Sequence, residues 1–141
     1  MEELVKVTPD RERAKSLLKM ANLRLDNIGL VEREDARKYT SKIIEDYYEM
    51  IIEIVTAIMS LDGYKTRSDA VGSHIASINY MRRYKEIGGH EIALMEDLRK
   101  KRIGVKYYGR EVGFDYLARK EKSIKDLINK IKSIAEGKLG V

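Results

Sequence analysis

The segment between residues 99 and 110 combines residue types that could bind an anionic ligand. It contains six basic residues and no acidic residue. The basic residues are Arg99, Lys100, Lys101, Arg102, Lys106 and Arg110. Such a cluster attracts phosphates, and Tyr107 and Tyr108 offer rings for stacking and hydroxyl groups for hydrogen bonds. The pattern predicts a surface for RNA or a partner protein, although a solvated helix face has the same composition.

Arg102 differs from its basic neighbours because it lies on the apolar line of the predicted helix. It follows Leu98 by four residues and precedes Val105 by three. Arginine is rarely buried without a partner, so Arg102 should meet either a carboxylate or an incoming phosphate. Glu45 and Glu49 on the predicted second helix are the candidate partners. The position of Arg102 fits two alternatives, a structural ion pair and a functional role, because both require a guanidinium there.

Metal chemistry and the familiar catalytic motifs are not indicated. The chain has no cysteine, which excludes disulfides, thiolate zinc sites and thiol nucleophiles. Glutamates recur at helical spacing on the second helix, as they do in ferritin-like bundles. However, neither His74 nor His90 has a glutamate three residues earlier, so we expect no metal and no cofactor. No nucleophile elbow or P-loop occurs, and no catalytic residue is predicted.

Composition indicates one protein domain covering residues 1–141. Charged residues make up 36% of the chain, with one proline, no tryptophan and a net charge of +5. This balance suits a helical protein and resembles that of thermophilic proteins. No apolar run approaches the length of a membrane span and the start does not resemble a signal peptide, so a cytoplasmic protein is expected.

Hydrophobic periodicity predicts an all-α fold, an antiparallel up-and-down bundle of about five helices. The predicted helices cover residues 8–29, 32–61, 68–87, 90–108 and 114–136. Thr8 and Pro9 mark the start of the first helix, and Ser68 caps the third. Gly29 and Gly63 are the predicted ends of the first and second helices.

The predicted second helix is apolar over most of its circumference. A helix of this kind is either central in its bundle or shared with a second subunit, and we expect both. Its apolar surface predicts a homodimer, because closed two-fold pairing is the commonest way to bury such a patch. The expected interface residues are Tyr48, Ile52, Val55 and Met59.

Three segments of the chain resemble the HEPN domain family, small helical bundles that commonly dimerise. Ser41-x-x-Ile44-Glu45-Asp46-Tyr47-Tyr48-Glu49 is similar to the family's aromatic-rich second helix. Leu61-Asp62-Gly63-Tyr64-Lys65 is similar to its glycine turn. Leu98-Arg99-x-x-Arg102, leading into Tyr107-Tyr108-Gly109, resembles its signature region. The resemblance spans about residues 10–135.

The resemblance implies a site around Arg102. Ribonucleases of the HEPN family carry an arginine, a polar residue directly after it, and a histidine four to six residues further along. Arg102 matches the arginine, but Ile103 replaces the polar residue, and Tyr107 and Tyr108 stand where the histidine would be. The Tyr-Gly ending is similar to the branch found beside small nucleotidyltransferases in toxin–antitoxin pairs.

These observations predict a HEPN-like domain of toxin–antitoxin type that binds RNA or a nucleotidyltransferase-type protein partner without catalysis. Arg102 would anchor the ligand, assisted by Arg99, Lys106 and Arg110. One alternative is a metal-independent ribonuclease in which a tyrosine takes the place of the usual histidine. A second alternative is a structural subunit with no ligand.

Overall fold

Apolar residues recur at helical spacing through most of the chain and fold it into a bundle. The computed structural model describes residues 4–67 and 72–141, and within them the chain forms five α-helices. The helices are α1 (Arg11–Asp35), α2 (Thr40–Asp62), α3 (Ser73–Tyr80), α4 (Gly89–Tyr108) and α5 (Phe114–Leu139). A single 3-10 turn, Met81–Arg83, follows α3 in the described part of the chain. The predicted all-α helical bundle is confirmed.

Helix α2 is the central element, because α1, α3, α4 and α5 all pack against it. Tyr48 and Val55 are completely buried, Met59 is 2% exposed, and Ile52 is half-buried against the same core. The predicted dimer interface is therefore wrong for Tyr48, Val55 and Met59, which lie inside one chain. The apolar circumference of α2 is covered by its own neighbours, so it leaves no broad apolar face for a second subunit.

Helix α1 is longer than its sequence pattern predicts. Asp10 rather than Thr8 caps it, since the Asp10 carboxylate accepts a hydrogen bond of 2.9 Å from the backbone N–H of Arg13. The predicted end at Gly29 is wrong, and the helix continues to Asp35. One glycine costs a helix only about 1 kcal/mol, and burial of Ile28 against the core favours continuation.

An ion-pair network fastens α1 to α2. The Arg24 guanidinium lies 3.2 Å from Asp46 and 3.0 Å from Glu53. Glu53, together with Asp46, raises the pKa of Arg24. Two acidic residues of α2, Asp46 and Glu53, are thus paired with α1.

Helix α2 ends at Gly63, as predicted, with a positive φ of 84° that favours glycine. Next comes β2 (Tyr64–Thr66), which pairs antiparallel with β1 (Leu4–Lys6) in a small sheet that was not predicted. The backbone N–H of Val7 donates to the carbonyl of Gly63 over 2.8 Å. A Cβ on Gly63 would lie 2.8 Å from the Val7 carbonyl oxygen, so the close approach also requires glycine.

Other helix boundaries also differ from the predictions. Helix α2 begins at Thr40 rather than at residue 32, because residues 32–35 belong to α1, and α3 ends at Tyr80 rather than continuing to residue 87. The proposed cap at Ser68 lies outside the described residues, and α3 is seen from Ser73 onwards. Helix α5 extends past its predicted end and is held there by Lys138, whose ammonium lies 2.7 Å from Asp62 at the end of α2. Within the described ranges, no helix is both long and apolar enough to cross a membrane.

Candidate phosphate-binding site

Helix α4 positions the basic segment against α2. At its start, the N–H of Gly88 donates to the Glu91 carboxylate over 2.6 Å, which satisfies an otherwise free donor. The apolar side of α4, including Met95 and Leu98, is buried in the core. One turn beyond Leu98, the same side carries Arg102, which is why this arginine enters the bundle.

Arg102 lies against α2 as its place on the apolar line predicts. Its side chain is only 12% exposed, and Nη2 lies 2.9 Å from Oε1 of Glu49. Glu45, the other expected partner, instead lies 3.8 Å from Lys42. Arg99, one turn earlier on α4, is 18% exposed and pairs with Glu96 over 3.3 Å. We call Glu49, Glu96, Arg99 and Arg102 the arginine cluster.

The arginine cluster contains four buried polar atoms that make no hydrogen bond within the described part of the chain. They are Nε of Arg99, Nε of Arg102, Oε1 of Glu49 and Oε1 of Glu96. The Glu49 oxygen is close enough to Arg102 for an ion pair, but the N–H groups are not aligned on it. Buried polar groups are normally paired, so these four atoms can accept further hydrogen bonds from, or donate them to, a small polar group such as water or a ligand.

Helix α3 brings a histidine to the edge of this cluster. Nδ1 of His74 lies 2.9 Å from the hydroxyl of Tyr48, whose ring is 6.0 Å from the Arg102 guanidinium. Burial, followed by the positive charge of Arg102, lowers the pKa of His74. Burial raises the pKa of Tyr48, although both arginines of the cluster oppose this. At neutral pH the imidazole and the phenol are therefore both uncharged.

His74 was not predicted as a site residue. Its position in the sequence suggests only a helix face, because no spacing rule links α3 to Arg102. Its role depends on the packing of α3 beside α2 and α4, and that packing is a tertiary property. The only local signal is that the chain contains just two histidines, and the other, His90, is exposed at the start of α4.

The last turn of α4 presents aromatic and basic side chains to solvent. Tyr107 and Tyr108 are 63% and 66% exposed. The ammonium of Lys106 lies 5.7 Å from the centre of the Tyr107 ring, and the Arg110 guanidinium lies 5.0 Å from that of Tyr108. We call these four residues the tyrosine surface. Its cations are exposed, unlike Arg99 and Arg102.

Most tyrosines elsewhere in the described residues are packed and hydrogen-bonded. Tyr47 donates to Glu121 over 2.8 Å, Tyr116 donates to Asp97, and Tyr80 and Tyr84 both donate to Asp62. In each case the ring fills the bundle while the hydroxyl reaches a carboxylate. Tyr107 and Tyr108 follow a different pattern, because their rings remain in water.

The site offers cations, a neutral imidazole and exposed aromatic rings, which together suit a phosphate-containing ligand with bases. Among the described residues, no group of three or more His, Asp or Glu side chains could hold a metal ion. Comparisons with family models, curated proteins and solved structures found no match for this chain. Its function is therefore inferred from the geometry of the site.

Proposed function

We propose that this protein is a domain that binds single-stranded RNA through the tyrosine surface at the end of α4. The observation that carries the proposal is the pair of adjacent tyrosines, each about two-thirds exposed and each beside a cation. Large aromatic rings left in water are commonly ligand contacts, and stacking on them accepts any base. The neighbouring cations would contact the phosphates on either side of the stacked bases.

Because the tyrosine surface lies at the C-terminal end of α4, RNA binding there depends on basic side chains. The C-terminal end of a helix carries partial negative charge, which repels phosphates. Lys106 and Arg110 counter that field and are free to contact the backbone of a strand. A single strand is preferred over a duplex because its bases are accessible for stacking. We propose RNA rather than DNA because the chain resembles the HEPN family, and the nucleases of that family act on RNA.

Fluorescence anisotropy with a labelled single-stranded RNA tests the proposal. The double variant Tyr107→Ala/Tyr108→Ala should bind at least about tenfold more weakly, since stacking contributes roughly 1–3 kcal/mol per base. Tyr39→Ala is the matched control, because Tyr39 is also exposed and has Lys38 5.4 Å from its ring. Equal loss in both variants, or no binding by the natural protein, would contradict the proposal. Absence of RNA binding would favour the protein-partner alternative.

A second candidate function is metal-independent ribonuclease activity, and the position of His74 favours it. The HEPN resemblance places no histidine after Arg102, but the fold supplies one from α3. In such a reaction the imidazole removes the proton from a ribose 2′-hydroxyl, whose oxygen attacks the adjacent phosphorus. The 5′-oxygen of the next nucleotide takes a proton from water and leaves as a hydroxyl, giving a 2′,3′-cyclic phosphate, and the imidazolium returns its proton to the hydroxide that remains. Arg102 would stabilise the added negative charge on the phosphate oxygens.

One hydrogen bond argues for binding over cleavage. The Tyr48 hydroxyl lies 2.9 Å from Nδ1 of His74, and in one tautomer of the imidazole it donates to that nitrogen. The other ring nitrogen then carries a hydrogen and cannot act as a base until the tautomer changes. The test is incubation of RNA with chelator present: cleavage lost in His74→Asn but retained in His90→Asn would establish the ribonuclease.

Association with a second copy or a nucleotidyltransferase-type partner, as the HEPN resemblance implies, would have to use a surface other than the core of α2. Light scattering of the isolated protein measures whether two copies associate. A dimer that persists in the Tyr107→Ala/Tyr108→Ala variant would show that assembly and RNA binding use separate surfaces.

A further inference from the structure

We propose that the arginine cluster receives a dianionic phosphate, supplied by the terminal phosphomonoester of an RNA strand that lies on the tyrosine surface. This inference rests on the proposed RNA binding and specifies which part of the RNA the domain recognises. It arises from features of the cluster that a purely structural pair of ion pairs would not require.

The guanidinium groups of Arg99 and Arg102 each contact a carboxylate through only one of their nitrogens. Arg102 approaches Glu49 through Nη2, and Arg99 approaches Glu96 through Nη2. In both residues the adjacent Nε is buried and makes no hydrogen bond within the described residues. Guanidinium groups bind phosphate strongly when two neighbouring N–H groups contact two oxygens. Each arginine therefore retains part of the edge that a phosphate would engage.

The carboxylates of the cluster are also incompletely bound. Oε1 of Glu96 has no partner, and Oε1 of Glu49 has only a misaligned one. A carboxylate held at one oxygen is more easily displaced than one held in a paired, bidentate arrangement. A phosphate with two negative charges can replace such a carboxylate, whereas a phosphodiester has only the same single charge. The cluster thus discriminates by charge as well as by shape.

Burial distinguishes the end of a strand from its interior. Arg102 is 12% exposed and Arg99 is 18% exposed, so only a small group can reach their guanidinium groups. A phosphodiester inside a strand carries a nucleoside on both sides, but a terminal phosphate has one free side. The tyrosine surface begins one helical turn beyond Arg102, which is about 6 Å along the axis. The nucleotides next to the terminal phosphate would lie there.

His74 can add a neutral donor to the same phosphate. When Tyr48 donates to Nδ1, the hydrogen of the imidazole is on Nε2. A neutral donor stabilises the anion without adding a third cation beside Arg99 and Arg102. The Tyr48 hydroxyl would then be a positioning group, since it fixes the imidazole without contacting the ligand.

The experiment compares one single-stranded RNA sequence with a 5′-phosphate, with a 3′-phosphate and with hydroxyls at both ends. The natural protein should bind one phosphate-ended form about tenfold more tightly than the hydroxyl-ended form. Arg102→Lys keeps the charge but loses the planar edge, and it should abolish this preference while hydroxyl-ended RNA still binds. Arg99→Lys should act in the same direction, and Arg119→Lys, an exposed arginine on α5, is the matched control.

The outcomes separate this inference from the proposed function. Equal affinity for all three RNA forms overturns the terminal-phosphate site but leaves RNA binding intact. Preference retained in both Arg102→Lys and Arg99→Lys also overturns it, provided thermal melting shows that the variants are folded. Calorimetry with inorganic phosphate provides the last arm. If the free anion binds in an Arg102-dependent way while the three RNA forms bind equally, the ligand is free phosphate and not an RNA end.

Discussion

The hydroxyl oxygen of Tyr48 lies 2.9 Å from Nδ1 of His74, and this contact joins α2 to α3 beside the arginine cluster. Tyr48→Phe should destabilise the fold by about 1 kcal/mol, because Nδ1 of the half-buried His74 loses its hydrogen-bond partner. Urea unfolding of the two proteins measures the difference. Tyr39→Phe is the control, since Tyr39 is exposed, and it should change little. A difference below a few tenths of a kcal/mol for Tyr48→Phe would contradict the expected role of the contact.

His74 should make the fold sensitive to acid. Burial, and then the charge of Arg102, lower its pKa in the folded state. The unfolded imidazole takes up a proton near pH 6.5, while the folded one does so only at lower pH. Stability should therefore fall as the pH drops below about 6.5, until the folded pKa is reached. Denaturation at several pH values should show a smaller acid-induced loss in His74→Asn than in the natural protein.

Glu32 should have the opposite pH dependence. Burial, and then the neighbouring Glu121, raise the pKa of Glu32 from about 4.5 to about 7. Burial opposes ionisation of Glu121, but hydrogen bonds from Glu32 and then from Tyr47 lower the pKa of Glu121, so the negative charge of the pair stays there. The folded Glu32 keeps its proton between these values, so stability is lost as the pH rises through that range.

Replacement of Glu32 by glutamine removes this loss. The free energy of unfolding of Glu32→Gln, measured relative to that of the natural protein, should therefore be higher at pH 8 than at pH 5. Glu34→Gln, at an exposed position on the same helix, should show the same difference at both pH values. A Glu32→Gln profile parallel to that of the natural protein would count against the raised pKa.

Two glycines should respond in opposite ways to alanine. Gly63→Ala should destabilise the fold by at least about 1–2 kcal/mol, because the left-handed conformation is unfavourable for a residue with a Cβ. The new Cβ would also lie only 2.8 Å from the Val7 carbonyl oxygen. Gly137 lies inside α5, where an added Cβ meets nothing within 4 Å. Gly137→Ala should stabilise by about 0.5–1 kcal/mol, and thermal melting of both variants tests the contrast.

RNA binding should weaken steeply with salt, but less than the number of basic residues in 99–110 suggests. Arg99 and Arg102 already have carboxylate partners and Lys101 is partly buried, which leaves Lys100, Lys106 and Arg110 as the exposed basic residues. Each phosphate neutralised on a single strand contributes about −0.7 to the log–log slope of affinity against salt. Lys106→Ala should make the slope shallower by about that amount, whereas Lys122→Ala, on α5, should leave it unchanged. An affinity that does not vary with salt would remove the electrostatic basis of the proposed binding.

The sequence predicts the parts of the fold that depend on local chemistry. Gly63 and Gly109 end their helices in the left-handed conformation, as isolated glycines after apolar helices often do. Gly29 breaks this rule because α1 packs along α2, and the packing outweighs the cost of one glycine inside a helix. The two strands were missed because three residues are too few to show an alternating pattern.

The site was predictable in part. Arg102 lies on an apolar line, and that position correctly indicates a buried guanidinium near an acid of α2. The sequence cannot show which acid, because Arg24 takes Asp46 and Glu53 through a contact between helices. His74 is brought to the cluster by the packing of α3, and no linear spacing encodes that packing. The prediction that Tyr48, Val55 and Met59 form a dimer interface failed for a related reason, since the neighbours that cover α2 are distant in sequence.

The central position of α2 determines how the site can respond to a ligand. Because four helices enclose α2, its amide hydrogens should exchange with solvent only when the whole domain unfolds. Tyr48 and Glu49 therefore belong to a wall that local fluctuations do not open. Helix α3 has only eight residues, and three of the four residues of the tyrosine surface lie in the final turn of α4. Among the described segments, we expect these two to adjust when a ligand binds, and a bound ligand should slow the exchange of their amides.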